Sequence, residues 1–132
     1  MLVLVVDDSL YNVKLLEAQL QIDRYEVVTA FGGEEALTKL KQCNPDLVLL
    51  DVMMPGMDGY EVCRRIRADT QTARLPVVMV TALDKPSDKE EGLAAGADDF
   101  LVKPVELDTL LRVMRRLLQP APFRDEIAQG AR

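Results

Sequence analysis

The chain has 132 residues, 48% hydrophobic and 29% charged, with a formal net charge of -6, which fits one soluble domain and disfavours nonspecific nucleic-acid binding. With no histidine, a histidine triad and a histidine-ligated zinc are excluded, and Cys43 and Cys63 make neither a disulfide framework nor a metal cage. The apolar runs are too short to span a bilayer and no signal peptide opens the chain, so a cytoplasmic protein is expected, off the membrane.

Leu2 to Val6 is a continuous apolar run of strand length, closed by the acidic pair Asp7-Asp8. Such a run suits a strand buried on both faces, as in a parallel sheet covered by helices. Ser9 is placed to cap a helix from about Leu10 to Gln21, in which Val13, Leu16 and Leu20 recur at helical spacing. A short strand follows over Glu26 to Ala30, then Gly32-Gly33, then a helix over Glu34 to Gln42 with Ala36, Leu37 and Leu40 on one side. Asn44-Pro45 stops that helix, because a residue before proline is pushed out of the helical region. Leu47 to Leu50 is a third strand, ending at Asp51, and Pro55, Gly56 and Gly59 turn the chain. The next helix, Gly59 to Ala68, carries Val62, Cys63 and Ile66 inward. Both cysteines fall on apolar faces of predicted helices and read as packing residues. Val77 to Val80 is a fourth strand ending at Thr81, and Ser87 to Ala95 is helical with Gly96 as its C-terminal cap. Asp99 to Val102 is a fifth strand ending in Lys103-Pro104, and Glu106 to Leu118 is a strongly periodic last helix. Residues 1–119 form the predicted domain, and Pro120 and Pro122 open a linker or tail over 120–132, where Phe123 and Ile127 could share a helical face.

Five short apolar strands alternating with five helices argue for a single α/β domain, a parallel sheet with helices on both faces and right-handed crossovers. In such a sheet the carboxyl ends of the strands share one edge, where open α/β sheets bind ligands. That edge receives Asp7, Asp8, Asp51, Thr81 and Lys103. Crowded carboxylates repel unless a cation sits among them, and a hard divalent cation prefers oxygen donors. The set therefore reads as a metal-assisted phosphoryl site. Asp51 is the nucleophile, because aspartate forms an aspartyl-phosphate; Lys103 and the metal offset charge, and the Thr81 hydroxyl donates a hydrogen bond.

Asp7-Asp8, Asp51 within Leu-Asp-Val-Met-Met-Pro-Gly-Met-Asp-Gly, Thr81-Ala82 and Lys103-Pro104 closely resemble the receiver domain of two-component response regulators. The wording around Asp51, with Asn12 to Glu17, is most similar to the first receiver of PleD-type diguanylate cyclases. The resemblance implies a flavodoxin/CheY-like sheet in the order 2-1-3-4-5 and a phosphoryl group accepted by Asp51 from a phosphohistidine. The donor would be a sensor histidine kinase or a histidine phosphotransfer protein. Mg2+, with Mn2+ as an allowed substitute, would sit on Asp8, on Asp7 largely through water, on Asp51 and on the main-chain carbonyl of Met53. Thr81 and Lys103 would contact the phosphoryl oxygens, the Lys103-Pro104 bond would be cis, and Phe100 would be the aromatic switch beside Thr81. The readout would pass to an output domain or partner through helix four, strand five and helix five, and a homodimer stays open. The protein would be a phospho-acceptor switch without an external substrate.

Met53 and Leu83 depart from polar types at positions that, in the family, influence hydrolysis, so slow self-dephosphorylation is expected. A small aspartyl-phosphate hydrolase of the haloacid dehalogenase kind needs a second acid two residues after the nucleophile, where this chain has Met53. A docking pseudo-receiver is disfavoured by the complete acidic set. Arg112, Arg115 and Arg116 read as a solvated helix face ahead of a partner face. No output motif is present among these residues, and the similarity together with the proline-containing tail favours a piece of a longer regulator, with a second receiver or a cyclase beyond, over a stand-alone regulator that shuttles phosphoryl groups or docks on partners.

Overall fold

In the computed structural model the described residues are 1–118, and the predicted linker over 120–132, with Phe123 and Ile127, lies outside them. The order is β1 (Leu2–Val6), α1 (Leu10–Ile22), β2 (Glu26–Ala30), α2 (Gly33–Cys43), β3 (Leu47–Leu50), α3 (Gly59–Ala68), β4 (Val77–Thr81), α4 (Pro86–Ala95), β5 (Asp99–Val102) and α5 (Leu107–Leu117). All strand pairs are parallel, in the order β2-β1-β3-β4-β5.

The pleat divides each continuous apolar run between two cores, because successive side chains point to opposite faces. Leu4, Val6, Val48, Leu50 and Met79 pack with Ala36 and Leu40 of α2 and Val62, Cys63 and Ile66 of α3. Val3, Val5, Leu47, Leu49, Val78 and Val80 pack with Val13, Leu16 and Leu20 of α1 and Leu110, Val113 and Met114 of α5. β1, β3 and β4 are therefore buried almost throughout, as continuous runs require. The edge strands depart from that reading. β2 and β5 are only partly buried, since each lacks a neighbour on one side, and Val102 is exposed.

Local signals end the helices where expected. Ser9 accepts a hydrogen bond from the Asn12 N–H at 3.3 Å, and Asn44 (φ 48°) and Gly96 (φ 111°) close α2 and α4 in the left-handed region. α4 starts one residue earlier than read from sequence, at Pro86, where proline's missing N–H costs nothing. Val113 is buried along α5 beside Leu110, Leu111 and Met114. Cys63 is fully buried, whereas Cys43 is half-buried at the end of α2. Arg115 and Arg116 are exposed but paired, with Asp23 at 3.1 Å and Asp99 at 2.7 Å. Among the described residues, no helix is long and apolar enough to cross a membrane.

Candidate functional site

Backbone pairing sets the site before any side chain acts. Val6 is in register with Leu50, and Thr81 with Val102, so the residues leaving β1 and β3, and those leaving β4 and β5, emerge side by side. The Asp51 N–H donates to the Val6 carbonyl at 2.9 Å, and the Lys103 N–H donates to the Thr81 carbonyl at 2.9 Å. Beyond Asp51 the chain turns back so tightly that the Gly59 N–H reaches the Val52 carbonyl at 2.8 Å. A Cβ on Gly59 would collide with the Asp51 carbonyl oxygen and lie 2.7 Å from the Val52 Cα. Only glycine permits that approach. The sequence marks Gly59 as a loop former but does not reveal this closeness to the acceptor's own backbone.

The Lys103 Nζ donates to Asp7 Oδ2 at 2.6 Å and to Asp51 Oδ2 at 3.1 Å, joining residues 96 and 52 positions away. Asp7 Oδ1 accepts from the Ser9 N–H at 2.9 Å, and Asp51 Oδ1 from the Met53 N–H at 3.3 Å. Asp7, Asp51 and Thr81 are buried, while Asp8 is exposed and forms the open side. One carboxylate oxygen from each of Asp7, Asp8 and Asp51 lies within 4.8 Å of the other two. Burial pushes the Asp51 carboxyl above its ordinary 3.8, although the hydrogen bond and charge of Lys103, and to a lesser degree the neighbouring Thr81 hydroxyl, pull it back. Burial pulls Lys103 down, but its hydrogen bonds to Asp7 and Asp51 outweigh this and hold it above 10.5. The ammonium is thus charged at neutral pH, against three carboxylates. The donor set is all oxygen with excess negative charge, which fits a hard divalent cation.

The remaining expected residues lie around this centre. Met53 exposes its side chain, while its N–H faces Asp51. Leu83 is half-buried against the core, and its N–H reaches the Thr81 hydroxyl oxygen at 3.4 Å. The Lys103-Pro104 peptide bond is cis. Phe100 is buried away from the carboxylates, beneath α4, where a Cβ on Gly92 would come within 2.8 Å of its ring.

A family model described as the response regulator receiver domain matches residues 3–115. Response regulator PleD of Caulobacter vibrioides is 48% identical over 127 residues, covering 96% of this chain and 28% of its own length. The chain likewise spans 49% and 53% of two further curated regulators it matches. Among solved structures, the chemotaxis protein CheY4 of Vibrio cholerae superposes with a TM-score of 0.83 at 40% identity, covering 89% of this chain and 98% of that one. The BeF3-activated N-terminal receiver domain of RstA from Klebsiella pneumoniae does so with a TM-score of 0.84 at 32% identity, covering 91% and 100%. A hydrolase of the haloacid dehalogenase kind and a docking pseudo-receiver are not favoured by these matches. With that likeness running from β1 into α5 and the acidic edge intact, the chain belongs to the receiver domain family of two-component response regulators.

Proposed function

We propose that Asp51 is the phosphoacceptor, taking a phosphoryl group from a phosphohistidine on a sensor histidine kinase or phosphotransfer protein. The observation that carries this reading is the Lys103 ammonium bridging the Asp7 and Asp51 carboxylates at an oxygen-lined sheet edge. An Asp51 oxygen forms the new bond to phosphorus as the bond from phosphorus to the imidazole nitrogen breaks. The electron pair returns to that nitrogen. Lys103 holds Asp51 in place and offers positive charge to the transferring oxygens, while the Thr81 hydroxyl donates to one of them. Mg2+ or Mn2+, held by Asp7, Asp8, Asp51 and the Met53 carbonyl, supplies further charge compensation when bound.

The same reading makes Thr81 and Phe100 the switch. Phosphorylation draws the Thr81 hydroxyl toward the acceptor and changes the space open to the Phe100 ring, and the α4-β5-α5 face carries the change to an output domain, a partner or a second copy. On this reading residues 1–119 are the receiver and 120–132 a linker or C-terminal tail, and the protein works in the cytoplasm without direct contact to nucleic acid.

Acetyl phosphate with MgCl2 tests the assignment by intact-mass and peptide mapping. A single phosphoryl group on Asp51, lost in EDTA and in Asp51→Asn, is the expected result. If Asp51 stays unmodified and fluoroberyllate fails to bind with the metal present, the assignment is wrong.

A further inference from the structure

α4 is poorly provided for by its own sequence. Pro-Ser-Asp-Lys-Glu-Glu-Gly-Leu-Ala-Ala has no apolar stripe, buries only Gly92 and Ala95, and leaves Leu93 exposed. A glycine in a helix interior weakens it further. Gly92 is needed there because a Cβ would come 2.8 Å from the Phe100 ring and 2.9 Å from the Met79 sulfur.

Beyond the packing of Gly92 and Ala95 on the sheet, side-chain hydrogen bonds to α4 come from α3. Near its start, the Tyr60 hydroxyl donates one hydrogen bond, 3.0 Å, to the Asp88 carbonyl. At its end, Arg67 Nε donates to the Gly96 carbonyl at 2.9 Å. The same guanidinium donates to the carbonyls of Ala73 at 3.2 Å and Leu75 at 2.6 Å, and to Asp98 Oδ2 at 3.0 Å. Asp98 Oδ2 in turn accepts from the Val77 N–H at 2.8 Å. Arg67 therefore ties the α4 terminus to the starts of β4 and β5 at once, a task suited to its planar fork of donors. The two ends are held unequally.

We propose that α4 is hinged at Gly96 by Arg67 and latched near Asp88 by Tyr60, so that Tyr60 is a positioning residue. Release of its single bond frees the end of α4 that follows Thr81, while the Arg67 end stays fixed. Because α3 begins at Gly59, pressed against the Asp51 carbonyl, a movement of the acceptor's backbone reaches Tyr60 through one rigid turn. This route lies apart from Thr81 and Phe100.

Hydrogen–deuterium exchange on the full chain, with neither phosphodonor nor Mg2+, tests the hinge independently of the phosphoacceptor assignment. Tyr60→Phe removes only the hydroxyl. It should raise exchange in the first two turns of α4 by about two- to tenfold, the range expected for one hydrogen bond. Exchange at Gly96 to Asp98 should stay at the wild-type rate. Arg67→Lys, which cannot span four acceptors with one ammonium, should loosen Gly96 to Asp98 and the start of β4. Wild-type exchange near Asp88 in Tyr60→Phe overturns the proposal, as does equal loosening of both ends. If Arg67→Lys does not fold, the Tyr60→Phe pattern decides by itself.

Discussion

Replacing Gly59 by alanine inserts a methyl group where α3 meets the backbone that carries Asp51. The new Cβ would lie 2.7 Å from the Val52 Cα and closer still to the Asp51 carbonyl oxygen, against 3.4 Å for an ordinary contact, so the backbone must give by at least about 0.7 Å. Neither neighbour is the free end of a side chain, and Asp51 is tied on its other side to the Val6 carbonyl. Overpacking of this kind costs about 1–3 kcal/mol, and alanine's narrower unfolded ensemble returns about 0.4–1 kcal/mol. The net loss lies between about 0 and 2.6 kcal/mol, read as a lower urea midpoint at an unchanged slope. The displacement also moves the acceptor relative to Lys103 and Thr81, and a misplacement near 1 Å costs roughly 10²-fold in a positioned reaction. Gly59→Ala should therefore slow Asp51 phosphorylation by acetyl phosphate by about 10- to 100-fold, followed by Phos-tag gel at saturating Mg2+. Wild-type stability together with a wild-type rate would refute the reasoning. Lowered stability with an unchanged rate would show that the strain is absorbed on the α3 side, leaving Asp51 in place.

Asp51→Asn should stabilise the metal-free protein at pH 7, measured in EDTA so that bound cation does not mask the effect. The sign follows from the raised Asp51 carboxyl: folding the ionised group costs free energy above its folded pKa, and that cost vanishes as pH falls through it. The variant's advantage should thus shrink on acidification from neutrality, and an advantage that is absent at pH 7 or grows in acid contradicts the shift. Burial also pushes the Cys63 thiol above 9.0, so Ellman's reagent at pH 8 should modify half-buried Cys43 readily and Cys63 only as the protein unfolds. Two thiols reacting in one fast phase would count against the buried α3 face. Once phosphorylated, the protein should lose its label slowly, and Met53→Asn or Leu83→Glu should speed that loss; rapid loss indifferent to both changes excludes a role for these apolar neighbours.

Much of the molecule can be read along the chain because it depends on short-range rules. Apolar runs of strand length, helical spacing in α1, α3 and α5, and Ser9, Asn44 and Gly96 at helix ends are decided within a few residues, and the structure places them as expected. The acids and the lysine are visible for the same reason, each being the first polar group after an apolar strand or close to it. Their partners are not. Nothing local tells that Lys103 reaches Asp7 and Asp51 together, that Arg67 gathers carbonyls from the α3–β4 connection and the end of α4, or that Tyr60 supports Asp88. The partial exposure of β2 and β5 is likewise a property of sheet order, since an edge exists only once neighbours are assigned.

Sequence alone determined an α/β chain with acidic groups at strand ends, because secondary structure and hydrophobic patterning are written over distances of a few residues. Tertiary structure alone decided which of those groups touch, how tightly Gly59 presses on the acceptor's backbone and which end of α4 is firmly held. These depend on closing long stretches of chain to within hydrogen-bonding distance, and that closure is settled by packing of the whole sheet and its helices.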